Sequence, residues 1–339
     1  MSLNQGDFAR PADPGTEEEA AGGFFSHKRH REVLQNCLDV PGQCPAFPFP
    51  LDAVGISAKT AWVRLPQGRL PFDLRLEVEL AADRRGIHMS RLEEAISALD
   101  DRDFIDLRGY ALALARLAVP GQESPRGRIA LAGQLPRPSR TLISGRNSLD
   151  ALDLRVEVEA ENSGAAWRWR VGLVVGVHHI TACPCTQAYN QLLLAPAAAS
   201  PPEAQREGPC FPLPTHSQRS HTTLGIFVEH DDPVGPGELN QENLLACLAS
   251  ALHLSQDLLK RPDEAELVYA SHAHPQFAED SVRETARAAA TILGPLLPPA
   301  SRVVINTVGL ESIHRHDVHC RLETTLAAIA ARLPDAPGE

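Results

Sequence analysis

From about Asp52 the chain breaks into short runs in which apolar and polar positions alternate. "KTAWVRL" (59–65) and "FDLRLEVELA" (72–81) change character at nearly every residue, the period of strands with one dry and one wet face. "SRLEEAISAL" (90–99) and "DFIDLRGYALALARLA" (103–118) then show helical spacing. Ser90 reads as the N-cap of the first helix, with Glu93 completing a capping box. "RGRIALAGQL" (126–135) and "ALDLRVEVEAE" (151–161) return to strand, which gives the order β-β-α-α-β-β.

The second half predicts the same order. "WRWRVGLVVGVHHITA" (167–182) and "HTTLGIFVEH" (221–230) read as strands. "LNQENLLACLASALHLSQDLLKR" (239–261) and "EDSVRETARAAATILGPL" (279–296) read as helices. "RVVINTVG" (302–309) and "HDVHCRLETTLAA" (316–328) close the unit as strands, the last fraying into helix. Two tandem β-β-α-α-β-β units make an internal structural repeat too diverged to align by residue identity. Each is an antiparallel sheet with a helix pair on one face, so the expected class is α+β. The expected division is an N-terminal extension (1–45), a first module (46–162) and a second module (163–330). The second module carries a Pro/Ala-rich insertion at about 191–213, read as mobile. Residues 1–23 are acidic and rich in Gly and Pro, and are expected to be disordered.

Charge and cysteine usage narrow the class. A net charge of -11 leaves no broad basic surface for phosphate backbones, which argues against general nucleic-acid binding. The seven cysteines are scattered over a long chain, unlike a secreted disulfide framework. The N-terminal stretch has no apolar h-region and no run reaches the length of a membrane span, so a reduced, cytoplasmic protein without a membrane partner is expected.

The chemistry-bearing residues cluster. "ITACPCTQ" (180–187) sets Cys183 and Cys185 around a proline at the end of a strand. They could be buried small hydrophobes, a nucleophile or a metal thiolate, and C-x-C geometry makes a disulfide between them improbable. "THSQRSH" (215–221) places His216, Gln218, Arg219 and His221 ahead of a strand, and a guanidinium beside polar donors suits an anion. "GLESIHRHDVH" (309–319) is the densest segment, with Glu311 and His314 three apart. A carboxylate beside a metal-binding imidazole is a common way to supply a general acid or base. His272 and His274 read as surface residues. His88, Ser90 and Arg91 sit at a predicted helix start, where backbone N–H groups suit phosphate. Neither a P-loop pattern nor a strand-linked G-x-G-x-x-G is present.

In order along the chain, "VGISAKTAWVRL", "RGIHMSR", "CPCTQ", "THSQRSH", "LKRPDE", "HPQFAEDSVR" and "ESIHRHD" resemble the signature blocks of the GTP cyclohydrolase IB family, from about residue 50 to 325. The resemblance implies the tunnelling fold, with two β-β-α-α-β-β modules per chain and a homotetramer whose sheets close barrels. It implies conversion of GTP and water to 7,8-dihydroneopterin triphosphate and formate, by attack at C8 of water activated on a divalent metal. That is the entry step to folate and pterin synthesis, and in some bacteria to queuosine. One metal per site is implied, and cysteine, histidine and carboxylate donors suit zinc, iron(II) or manganese. Carried across by motif, Cys183, His216, Glu264 and His314 match the metal site. Glu311 matches the acid/base carboxylate, and Glu279 the carboxylate that holds the guanine edge. His88, Ser90, Arg91 and Arg219 are candidates for the triphosphate pocket.

The chain departs from the family pattern in the long stretch after "CPC", in Thr186 where serine is usual, and in Val268-Tyr269 where many members carry Thr-Glu. Two other readings stand beside this one. One is a nitrile reductase of the same fold, with Cys183 as a covalent nucleophile. The other is a paralogue that binds metal or pterin without turnover.

Overall fold

The computed structural model describes residues 24–164, 166–194, 212–230 and 239–333. Among them lie β1 (Leu51–Leu65), β2 (Gly68–Leu80), β3 (Arg126–Arg140), β4 (Asn147–Asn162), β5 (Trp167–Ala182), β6 (Ser217–His230), β7 (His253–Leu254), β8 (Arg302–Gly309) and β9 (Val318–Thr325). The helices are α1 (His27–Asn36), α2 (Met89–Ser97), α3 (Leu107–Gly121), α4 (Pro184–Leu194), α5 (Gln241–Ala251), α6 (Arg261–Ala273), α7 (Ala278–Leu293) and α8 (Leu326–Ala330). The class is α+β, and none of the described helices is long and apolar enough to cross a membrane.

The strands form one antiparallel sheet in the order β1-β2-β3-β4-β5-β6-β8-β9. Pairing of β4 with β5 ends at Asp153↔Gly176, and farther along β5 the short β7 pairs at His179 and Ile180. Period-2 alternation divides the faces. Leu74, Leu76, Ile129, Leu131, Val156, Val158, Val171, Leu173, Leu224, Ile226, Val303 and Ile305 point to one side and are buried. Helices α3, α5 and α7 cover that side. Many of their alternates are charged and paired: Arg128 with Glu157, Arg155 with Glu157, Arg170 with Glu159 and Glu229, Arg302 with Glu323.

Several expectations need correction. The run 239–261 is not one helix: α5 ends at Ala251, because β5 offers an open edge and residues 253–254 pair with it instead. Ser90 is not the N-cap of α2. The cap is His88, two residues earlier, with the helix starting at Met89, and Glu93 pairs with Lys59 of β1 at 2.7 Å. Two helices, α4 and α6, were not foreseen. The proposed insertion lies mostly outside the described residues, but its first part, through Leu194, belongs to α4.

Two buried carboxylates tie the β3–β4 hairpin to the segment leading into α6. Asp263 accepts hydrogen bonds from the amides of Ile143 (2.8 Å), Ser144 (2.9 Å) and Lys260 (3.1 Å), and from Ser144 Oγ (2.6 Å). Asp150 accepts from Ser148 Oγ (2.6 Å), Ser139 Oγ (2.7 Å) and the Asp257 amide (3.0 Å). Burial pushes both carboxyls up, but these hydrogen bonds outweigh it, and both lie below the usual carboxylate range.

Candidate active site

The site begins where β5 runs out. Ala182 pairs with Ser217 at the start of β6, and the Cys183 amide donates to the His216 carbonyl at 3.1 Å. Thr215 Oγ1 returns a bond to the Cys183 carbonyl at 3.0 Å. Pro184 then opens α4, as proline does well at a first helical position. The next turn is fastened from the side. Gln187 Nε2 donates to the carbonyls of Leu213 (3.0 Å) and His272 (2.8 Å), and Asn190 Nδ2 to that of Pro214 (3.0 Å). His272, expected on the surface, is buried: its Nδ1 lies 2.8 Å from the Val268 carbonyl and its Nε2 3.3 Å from that of Thr215. It sits in the last turn of α6, a helix the sequence did not reveal, and its partners are backbone carbonyls. His274 is exposed, as expected. The outcome is Cys183 and His216 side by side, with Cys183 buried, Cys185 exposed and Thr186 Oγ1 donating to Cys183 Sγ at 3.6 Å.

The second half of the site comes from the end of β8. The Leu310 amide donates to the Arg219 carbonyl at 3.0 Å, and an irregular loop (310–317) then folds back over β6. Alternation along β6 turns Gln218, Ser220 and Thr222 to the helix side. Gln218 Nε2 donates to Glu311 Oε1 at 3.2 Å, and Gln218 Oε1 sits 3.3 Å from His216 Nδ1. The His314 ring meets the His216 ring edge-on at 6.5 Å between centroids, and His316 stacks on His314 at 5.3 Å. Gly309 makes the fold-back feasible. A Cβ there would stand 3.3 Å from Glu311 Oε1, 3.6 Å from Ser220 Oγ and 4.0 Å from the Ala278 Cβ. The same crowding brings the first turn of α7 alongside, and with it the exposed Glu279. Burial, and then the Glu279 charge, push the Cys320 thiol upward.

Beneath this surface runs a buried polar layer. His179 Nε2 lies 2.8 Å from Thr222 Oγ1, which lies 2.7 Å from Thr307 Oγ1, and Thr181 Oγ1 meets Ser220 Oγ at 2.9 Å. His179 is fully buried and its Nδ1 has no partner among the described residues. Burial pushes its pKa down to about 3, so the ring is neutral.

The remaining candidates stand apart. Glu264 is exposed in the first turn of α6, eight residues from His272, or about 12 Å along the helix axis. Arg219 alternates with Gln218 and so faces the helix-free side of the sheet, with His221 and His178, whose rings lie 4.8 Å apart. Burial, then His221 and Arg219, lower the pKa of His178. His88, Ser90 and Arg91 belong to the start of α2, over the β1 end of the sheet. There Gln122 bonds both the His88 amide and its carbonyl at 2.9 Å, and Arg91 reaches the Gly121 carbonyl at 2.9 Å. From β2 to β6 is four strand spacings, about 19 Å along the sheet. Among the described residues, no three His, Cys, Asp or Glu side chains stand close enough to hold a metal. Cys183 and His216 nonetheless pair across the strand ends, and the His314 ring meets that of His216, a donor chemistry suited to a borderline-soft divalent ion.

A helix-backed antiparallel sheet, with a thiol, two imidazoles and a bridged carboxylate at the ends of three adjacent strands, defines an α+β protein with a polar cluster at one end of its sheet. The chain belongs to the type I GTP cyclohydrolase folE2 family, whose model matches residues 38–320. Among curated relatives, the GTP cyclohydrolase MptA of Aeropyrum pernix is 28% identical over 302 residues, covering 86% of this chain and 97% of the relative. The MptA of Haloferax volcanii is 28% identical over 314 residues, covering 87% and 97%. Among solved structures, a uricase from Bacillus fastidious aligns with a TM-score of 0.44 at 10% identity, over 86% of this chain and 97% of that one.

Proposed function

We propose that this protein is a GTP cyclohydrolase that converts GTP and water to 7,8-dihydroneopterin triphosphate and formate, in the cytoplasm, as an entry step to pterin synthesis. Family membership supports the reaction class. The observation that supports the site is convergence on His216: Cys183 pairs with it across the strand ends, Gln218 links it to Glu311, and the His314 ring meets its own.

In this reading Cys183, His216 and His314 would hold one divalent ion (zinc, iron(II) or manganese); Glu264, the fourth residue matched by motif, stands apart from them within one chain and would have to approach for the set to be completed. When bound, the ion supplies Lewis acidity and lowers the pKa of water. The protein's own groups do the rest. Glu311, steadied by the Gln218 amide, takes and returns protons as the imidazole ring of the base opens and formate departs. Glu279, exposed on the first turn of α7, accepts paired N–H bonds from the guanine edge and fixes the ring's orientation. The buried Thr222–Thr307 layer keeps the strand ends from shifting beneath the reacting groups.

His88, Ser90, Arg91 and Arg219 are assigned to the triphosphate. The separation of His88, Ser90 and Arg91 from Cys183 within one chain supports a nucleotide held between copies, in a homotetramer of tunnelling-fold chains with modules at 46–162 and 163–330.

The test is turnover. Metal-loaded protein is incubated with GTP, the mixture is oxidised, and neopterin fluorescence and formate are measured beside a Cys183→Ala variant. Fluorescent product from the wild type alone supports the reading. No GTP consumption with any of the three metals overturns it, and formate without pterin identifies an enzyme that stops at the opened ring.

A further inference from the structure

We propose that Gln218 is a positioning residue that sets the tautomer of His216 and the orientation of Glu311 together; the assignment rests on the reading of His216 as a metal ligand and Glu311 as the proton carrier. The argument follows from which atoms can donate. The Glu311 carboxylate only accepts, so the end of the Gln218 amide 3.2 Å from it is the NH2 group. The carbonyl end must then face His216 Nδ1, at 3.3 Å. A carbonyl also only accepts, so Nδ1 carries the ring proton. His216 Nε2 is left with its lone pair, the form an imidazole needs to bind a cation. Turning the amide over would set oxygen against oxygen at Glu311, and its NH2 would then face Nδ1 and call for the opposite tautomer, so the Glu311 contact is what fixes the amide's sense. The backbone leaves little freedom, because Gln218 lies inside β6 in register with Thr181, and its neighbour Arg219 accepts the Leu310 amide at the root of the Glu311 loop. One amide thus couples the acid/base carboxylate to the face His216 presents.

The tautomer is read directly, in metal-free protein, from two-bond proton–nitrogen spectra of histidine-labelled samples, with a His216→Gln variant assigning the signal. Metal affinity by chelator competition and GTP turnover are measured alongside. The wild type is expected in the Nδ1–H form. Gln218→Leu is expected to shift His216 toward the Nε2–H form and to weaken metal binding about 10- to 100-fold, the usual effect of losing a ligand's supporting hydrogen bond. Gln218→Glu separates the two functions. It still accepts from Nδ1–H, so tautomer and metal affinity are retained, but it sets a second carboxylate against Glu311 and kcat falls at least 10-fold. Wild-type His216 in the Nε2–H form overturns the proposal without any variant, and so does a folded Gln218→Leu protein with unchanged tautomer and affinity. If the tautomer responds as expected but the wild type binds no divalent ion, the relay stands and the metal-site reading falls.

Discussion

Replacing Thr222 with valine removes one hydroxyl and little volume, yet it should destabilise the protein by about 2–4 kcal/mol. Thr222 Oγ1 joins His179 Nε2 to Thr307 Oγ1 in a region closed to water. Its loss leaves an imidazole with no partner at either ring nitrogen and cuts off the Thr307 hydroxyl. Each stranded buried group costs about 1–3 kcal/mol. His179→Leu removes the ring together with its unsatisfied Nδ1 and leaves the Thr222–Thr307 bond intact, so its cost at neutral pH should be smaller. The double variant should therefore be less destabilised than the sum of the singles by about 1–2 kcal/mol. Acid adds a second signature. His179 has a pKa of about 3 in the folded chain and an ordinary value of 6.5 when exposed. Below pH 6.5 the unfolded chain takes up a proton that the folded chain refuses. Stability is therefore fully present above that pH and is lost as pH falls toward 3, by about 4–5 kcal/mol at 1.36 kcal/mol per unit. His179→Leu should flatten this slope. The assay is urea unfolding followed by tryptophan fluorescence between pH 4 and 8 at fixed protein concentration. A Thr222→Val cost below about 0.5 kcal/mol, or an unchanged acid slope in His179→Leu, would refute the reasoning.

Three other perturbations give distinct outcomes. Asp263→Asn should speed amide hydrogen exchange at Ile143 and Ser144 and lower the melting temperature at pH 7. Because the folded pKa is depressed, the gap from wild type should narrow as pH falls below 4, which melting curves from pH 7 to 2.5 would show. Gly309→Ala should lower kcat about 10-fold, because its Cβ crowds Glu311 Oε1, while metal content by mass spectrometry stays unchanged. Cys183→Ser should lose most bound metal, and Cys185→Ser, at an exposed position, should keep it.

Strand positions were legible because one face of the sheet is dry and the other carries charge, so "LRLEVE" and "LRVEVEAE" could hardly be anything else. Helix α6 was not, since its apolar face is thin. Its start was nonetheless written in "KRPDE", with Pro262 in the first turn and Asp263 turned back to the Lys260 amide. The candidate site was named by motif and not by pattern. Nothing in the spacing of "CPC" says that its cysteine meets His216, because that contact is made by strand register between residues 33 positions apart. Gln218 stood in plain view in "THSQRSH", but its role appears only when the loop after β8 folds back. Conversely, the motif grouped Arg219 with its neighbours, whereas strand alternation sends it to the other face.

The rungs around Cys183 have a practical corollary. Gln187, Asn190, Thr215 and the Cys183 amide fasten both flanks of the segment between residues 194 and 212 to the body of the protein. The distance from thiol to imidazole is therefore set by those fastenings and is indifferent to how much chain runs between them. An affinity tag, a fluorophore or a small reporter domain spliced in between those flanks should therefore leave the pairing of Cys183 with His216 unchanged.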